Sequence, residues 1–308
     1  MRFRGFDEAL RQNFDSRSFS YIAVLYVREP RFVATNGVSL RYEIVGDGPP
    51  LCLINGFRLS GATWPQAFVD CLAANFSVLT YDCRGTGVSE KPLDGYAIPT
   101  MARDAAEMIK KLGFERAHVF GFSMGGAVAQ EVALRHPDRV NRLVLFATFA
   151  GAGFAVPAPW SVQRKLYEVE GLSPEDAARQ VWPVTYSPSY LRDNLSTVEM
   201  QMLREIANPT PDYVARGQLS GIKAFSSGCR LWSIRSQTLV MTGDEDKLIP
   251  AFNSRIIAWM IPFARIKSQS GLGHRAIWEK PEEIALIVTN FLKAPEHLPT
   301  PLAMWGNL

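Results

Sequence analysis

Short apolar runs alternate with helical patterns along most of this chain, and that rhythm constrains the fold more than any other feature. The runs fall at 31–35, 39–45, 51–54, 77–81, 118–120, 142–147, 238–242 and 265–267. The first two flank Asn36-Gly37, a strong hairpin signal. Helical patterns occupy most of the later intervals, at 64–74, 100–112, 124–135, 252–260 and 281–292. Such alternation marks βαβ units and a mostly parallel sheet, so the expected class is α/β, with helices on both faces. A chain of 308 residues has room for one large α/β domain with an insertion, or for two ordinary domains.

One interval breaks the rhythm. Between 151 and 236 no strong buried-strand run occurs, and helical patterns punctuated by proline appear instead, at 161–170, 174–181 and 198–206. Ser173-Pro174-Glu175-Asp176 is a helix-start signal, with serine able to cap and proline suited to the first turn. The predicted organisation is therefore a core over 31–150 and 237–293 and a helical cap over 151–236. Residues 1–30 form an N-terminal extension, and 294–308 a C-terminal tail.

Composition excludes several classes. Apolar residues make up 47% and charged residues 20%, a globular balance. Thirty-three basic against 30 acidic residues leave a net charge of +3, too little to imply a nucleic-acid or membrane partner. Cys52, Cys71, Cys83 and Cys229 are scattered without metal-ligand spacing, so reduced thiols in a cytoplasmic protein are expected, with no metal site. No apolar run approaches the ~20 residues of a membrane span. The stretch 21–27 is short and lacks a small-residue cleavage site, so it is not read as a signal peptide.

The chemistry is concentrated in Gly121-Phe122-Ser123-Met124-Gly125. By chance alone, about one chain in ten of this length carries a G-x-S-x-G match, so the context decides. The motif follows the run 118–120 and opens a helix containing Gly126, Ala127, Val128 and Ala129. At a strand-to-helix turn, a serine is held in a strained backbone and exposed at the carboxyl edge of the sheet. The helix start offers amide donors to a developing oxyanion.

Serine needs a base, and the chain has four histidines. His118 lies too close in sequence to fold back onto Ser123, His136 caps a helix before Pro137, and His297 sits among prolines in the tail. His274, in Gly271-Leu272-Gly273-His274, follows the last strand run at the carboxyl edge, where open α/β sheets bind ligands. The orienting acid should follow the run 238–242, where Asp244, Glu245 and Asp246 compete. Spacing alone does not choose between Asp244 and Asp246.

With these motifs the chain resembles the α/β-hydrolase superfamily over about 31–293, and is most similar to enol-lactonase and small carboxylesterase-like serine hydrolases. Asp82-Cys83-Arg84-Gly85-Thr86-Gly87-Val88-Ser89 resembles the family's D-x-R-G-x-G-x-S turn. Gly243-Asp244-Glu245-Asp246 with Pro250 resembles its G-x-x-D-x-x-x-P loop, which implies Asp246 as the triad acid. His274 followed by Glu279-Lys280-Pro281-Glu282-Glu283 resembles its G-H…E-x-P-E-E segment, and 218–232 its cap end.

The resemblance implies a triad of Ser123, Asp246 and His274, with the backbone amides of Phe57 and Met124 as the oxyanion hole. Where relatives carry His-Gly after an early strand, this chain has Asn55-Gly56-Phe57. Asp82, Arg84 and Asp104 are read as structural. Trp160, Trp182 and Trp232 in the cap are expected to line an apolar pocket.

The expected activity is cleavage of an ester or lactone of a largely apolar small molecule through an acyl-enzyme, without a cofactor. Competing readings on the same triad are acyl transfer, cofactor-free peroxidation, C–C hydrolysis and a slow-turnover receptor.

Overall fold

The computed structural model describes residues 29–295 apart from 170 and 263. The expected N-terminal extension and C-terminal tail lie almost wholly outside the described residues. The described chain runs β1 (Arg31–Thr35), β2 (Val38–Val45), β3 (Pro50–Ile54), α1 (Gln66–Ala73), β4 (Ser77–Tyr81), α2 (Ile98–Lys111), β5 (Ala117–Phe122), α3 (Met124–Arg135) and β6 (Val140–Phe146). Helices α4 (Trp160–Tyr167), α5 (Pro174–Thr185), α6 (Pro188–Asp193), α7 (Leu195–Ile206) and α8 (Asp212–Ala224) follow. The chain then returns through β7 (Gln237–Gly243), α9 (Phe252–Met260), β8 (Ala264–Gln269), α10 (Ala276–Glu279) and α11 (Pro281–Lys293).

The eight strands form one sheet in the order β1-β2-β4-β3-β5-β6-β7-β8. β2 is antiparallel to both its neighbours, and the strands from β4 to β8 are parallel. Side chains alternate between faces with the period of two that strands impose. Thus Cys52, Ile54, Val119, Leu143, Leu145 and Val240 enter one core cluster with residues of α2, α3 and α9. Leu51, Leu53, Phe120, Val144, Phe146, Leu239 and Met241 enter the other, with α1 and α11. Between β4, β3 and β5 the strand order reverses, which places the loop after β3 beside the turn after β5. That reversal is the crevice in which open α/β sheets hold ligands.

Five helices stand between β6 and β7, the interval expected to lack strands. Two of them, α6 and α8, correspond to no helical pattern read from the sequence. Helix α8 carries Gly217 and Gly221, each of which weakens helix propensity. Both lie against Tyr96, whose ring or backbone would meet a built Cβ at 2.5 and 2.4 Å. The glycines trade propensity for close packing.

His118, the second residue of strand β5, is buried edge-on to Phe76, with ring centroids 5.8 Å apart. Burial, and secondarily the charge of Arg142, lower its pKa from 6.5 to about 4. The unfolded chain therefore binds this proton first. The stability His118 confers is complete above pH 6.5 and is lost as pH falls towards 4. The full effect is about 3 kcal/mol. His118→Phe should flatten the fall in urea-unfolding free energy across that window; an undiminished fall would assign the acid sensitivity to other groups.

Candidate active site

Ser123 stands alone between strand β5 and helix α3, with φ 54° and ψ −120°. A non-glycine residue there costs on the order of 1–3 kcal/mol, which its surroundings must offset. Its amide donates to Phe146 O at 2.9 Å, and the Thr148 hydroxyl donates to its carbonyl at 2.7 Å. The turn closes only because its flanks lack side chains. A Cβ on Gly121 would lie 2.4 Å from Gly125 O, and one on Gly125 would lie 2.1 Å from Ile54 O.

His274 Nε2 lies 3.2 Å from Ser123 Oγ, and His274 Nδ1 lies 2.7 Å from Asp246 Oδ2. The other carboxylate oxygen, Oδ1, accepts the amides of Leu248 and Ile249 at 2.9 and 2.8 Å. Asp246 is thus fixed through one oxygen and presents the other to the imidazole. Both side chains are buried. Asp244 turns elsewhere: its Oδ1 accepts the Gly271 amide at 2.7 Å and braces the loop that leads to His274. Of the other described histidines, His118 is buried in the sheet and His136 stands at the end of α3.

The loop after β3 reaches this point as Asn55-Gly56-Phe57. Asn55 is fully buried, accepts the Gly56 amide at 2.8 Å, and donates to Ser60 O and Thr63 Oγ1 at 2.9 and 3.0 Å. It ties both ends of the loop together. Among the described residues, neither the Phe57 nor the Met124 amide donates to a protein group. Met124 is the first residue of α3, where an amide has no intrahelical acceptor. Both amides therefore retain donor capacity, and Gly56, which precedes Phe57, comes so close that a Cβ on it would lie 3.3 Å from Ser123 Cβ.

The alpha/beta hydrolase fold model matches residues 49–281. This chain belongs to the α/β-hydrolase fold family. It is 32% identical over 228 residues to the "Putative carbamate hydrolase RutD" of Azorhizobium caulinodans, covering 74% of this chain and 84% of that protein. It is 30% identical over 268 residues to the poly(3-hydroxyalkanoate) depolymerase of Ectopseudomonas oleovorans, covering 85% and 92%. The enol-lactonase of Burkholderia xenovorans LB400 superposes with a TM-score of 0.75 at 25% identity, covering 86% of this chain and 100% of that one. As an α/β hydrolase, the protein is a hydrolytic enzyme. No helix among its described residues is long and apolar enough to cross a membrane.

Of the three tryptophans expected to line a pocket in this α/β hydrolase, two are exposed and one is buried. Trp160 and Trp232 are 70% and 68% exposed. Trp232 lies in a 3-10 turn whose inward positions, three apart, are Gly228 and Leu231, so its ring points out and its indole donates to Cys229 O. Trp160 opens α4, whose buried position is Val162. Trp182 is buried, but in the core cluster with Tyr186, Val198 and Leu272. Phe122, buried in the same cluster, packs its ring 5.0 Å from the imidazole, centroid to centroid.

Asp82, Arg84 and Asp104 sit in turn and helix packing, as expected. Asp82 accepts the amides of Gly61 and Val88, and Arg84 forms a two-point pair with Asp104 at 2.5 and 2.7 Å. Glu279 braces this site as well. One of its oxygens accepts the Gly273 and Ser187 amides at 3.0 and 2.9 Å, and the other accepts the Ser187 hydroxyl at 2.5 Å. Burial raises its pKa, and these donors offset part of the rise. Its fixed spacing after His274, within the family-like segment, was the available signal.

Proposed function

We propose that this hydrolase cleaves a carboxylic ester or lactone of a largely apolar small molecule through an acyl-enzyme on Ser123. The observation that carries the reading is the unbroken relay from Asp246 through His274 to Ser123 Oγ, at 2.7 and 3.2 Å. In this mechanism His274 Nε2 takes the proton from Ser123 as Oγ attacks the carbonyl carbon. Asp246 holds Nδ1–H and stabilises the imidazolium. The carbonyl oxygen gains charge beside the Phe57 and Met124 amides, which bind it better as an oxyanion than as the neutral ester carbonyl oxygen. His274 returns the proton to the leaving alkoxide and then draws one from water, which releases the acid and restores Ser123.

The names of the relatives support this reading: a carbamate, a polyester and an enol-lactone all present an acyl carbonyl bearing an oxygen or nitrogen leaving group.

The test is a panel of p-nitrophenyl esters of rising acyl length, together with simple lactones. Turnover is expected, and each added methylene should change kcat/KM by a factor of about 10–200 at most. Turnover of carbamates or vinylogous diketones with no ester or lactone cleaved would overturn the assignment.

A further inference from the structure

The loop after β3 and the segment after His274 meet directly where the Trp278 indole donates to Thr63 O at 3.2 Å. Helix α7, inserted between β6 and β7, reaches both. Gln201, 7% exposed, donates through Nε2 to Thr63 O at 2.9 Å and to Glu205 Oε1 at 3.0 Å. Thr63 ends the loop that Asn55 braces, and its hydroxyl accepts from Asn55 Nδ2 at 3.0 Å. One helical turn on from Gln201, Glu205 accepts both terminal nitrogens of Arg275, at 2.5 and 3.0 Å. Arg275 follows His274 directly. Its amide donates to Thr185 O at 2.8 Å, and its guanidinium lies over the rings of Tyr186 and Trp278, 5.4 and 5.2 Å from their centroids.

Burial opposes the charge on Arg275, but the Glu205 carboxylate, with Tyr186, outweighs it and holds the guanidinium above its ordinary pKa. A paired, fork-shaped guanidinium is directional and leaves the backbone beside it little freedom. The hydrogen-bonded path therefore runs from Asn55 through Thr63, Gln201, Glu205 and Arg275 to the residue that carries the imidazole.

We infer that Gln201, Glu205 and Arg275 are positioning residues that set the oxyanion loop and the His274 loop in one geometry, with α7 as a second link beside the Trp278–Thr63 hydrogen bond. The inference rests on the proposed serine mechanism. None of the three touches the reacting atoms. They act by fixing the distance between the oxyanion amides and His274 Nε2, so their loss should lower kcat rather than raise KM. A misplacement near 1 Å is worth on the order of a hundredfold in rate.

The experiment starts by confirming that a fluorophosphonate labels Ser123 in the unaltered enzyme. Failure there removes the serine reading and is distinct from failure of the relay. In labelled enzyme, steady-state kinetics on a short p-nitrophenyl ester then compare Gln201→Leu, Arg275→Met and the double variant. Each single change should lower kcat on the order of tenfold or more, with KM altered by less than about twofold. The double variant should be no slower than the worse single, because one path has been cut twice. Arg275→Lys, which keeps the charge and folds without an unpaired Glu205, should recover part of the loss and supplies the comparison if Arg275→Met does not fold. Unchanged kcat in the single variants, losses that multiply in the double, or an effect confined to melting temperature would overturn the coupling.

Discussion

Replacing Ser123 by alanine is expected to lower kcat for a p-nitrophenyl ester by a factor on the order of 10⁶ while leaving the fold intact. The size follows from the mechanism. Without Oγ there is no acyl-enzyme, and only the oxyanion amides and substrate binding remain to assist attack by water. The fold should survive because Ser123 Oγ makes its contact with His274, whereas the backbone contacts of the turn run through its amide and carbonyl. Alanine at φ 54° is as strained as serine, so the melting temperature should change little. Steady-state kinetics and thermal melting on the same preparation check both parts. Activity within about tenfold of the unaltered enzyme would remove Ser123 from the chemistry.

The second large effect concerns the two aspartates of the loop after β7. Asp246→Asn should lower kcat by about 10⁴, because an amide facing His274 Nδ1 as a donor favours the tautomer with a protonated Nε2, which cannot accept from Ser123. The substituted side chain keeps an Oδ1 to accept the Leu248 and Ile249 amides, so the loop should hold its shape. Asp244→Asn keeps an acceptor for the Gly271 amide, 2.7 Å away at the loop surface, and should cost less than about tenfold. Equal losses in the two variants, or the reverse ranking, would contradict the relay.

The parts of this site that were legible in the sequence are local ones. The elbow is a strand end, a serine and a helix start within a few residues, and the small residues that let it close are visible as letters. His274 was found by elimination among few histidines. Asp246 needed the resemblance, since Asp244 two residues away has the same chemistry and only the fold decides which carboxylate meets the imidazole. What stayed hidden depends on long-range packing. Whether Trp160 and Trp232 face inward depends on the helix that carries them, and a 3-10 turn that buries Leu231 exposes its neighbour. Gln201 and Glu205 read as ordinary polar residues on an amphipathic helix until the fold brings Thr63 and Arg275 to them. Helix α8 was missed because its glycines weaken the local signal and act through Tyr96, more than a hundred residues earlier.

The central claim is that His274, held by Asp246, makes Ser123 a nucleophile. Its most direct test is covalent capture by a fluorophosphonate, followed by digestion and mass spectrometry of the adduct. One adduct per chain is expected, on Ser123, formed at a rate slowed by orders of magnitude in His274→Ala. An adduct on another residue, or labelling of Ser123 at an unaltered rate in His274→Ala, would contradict it.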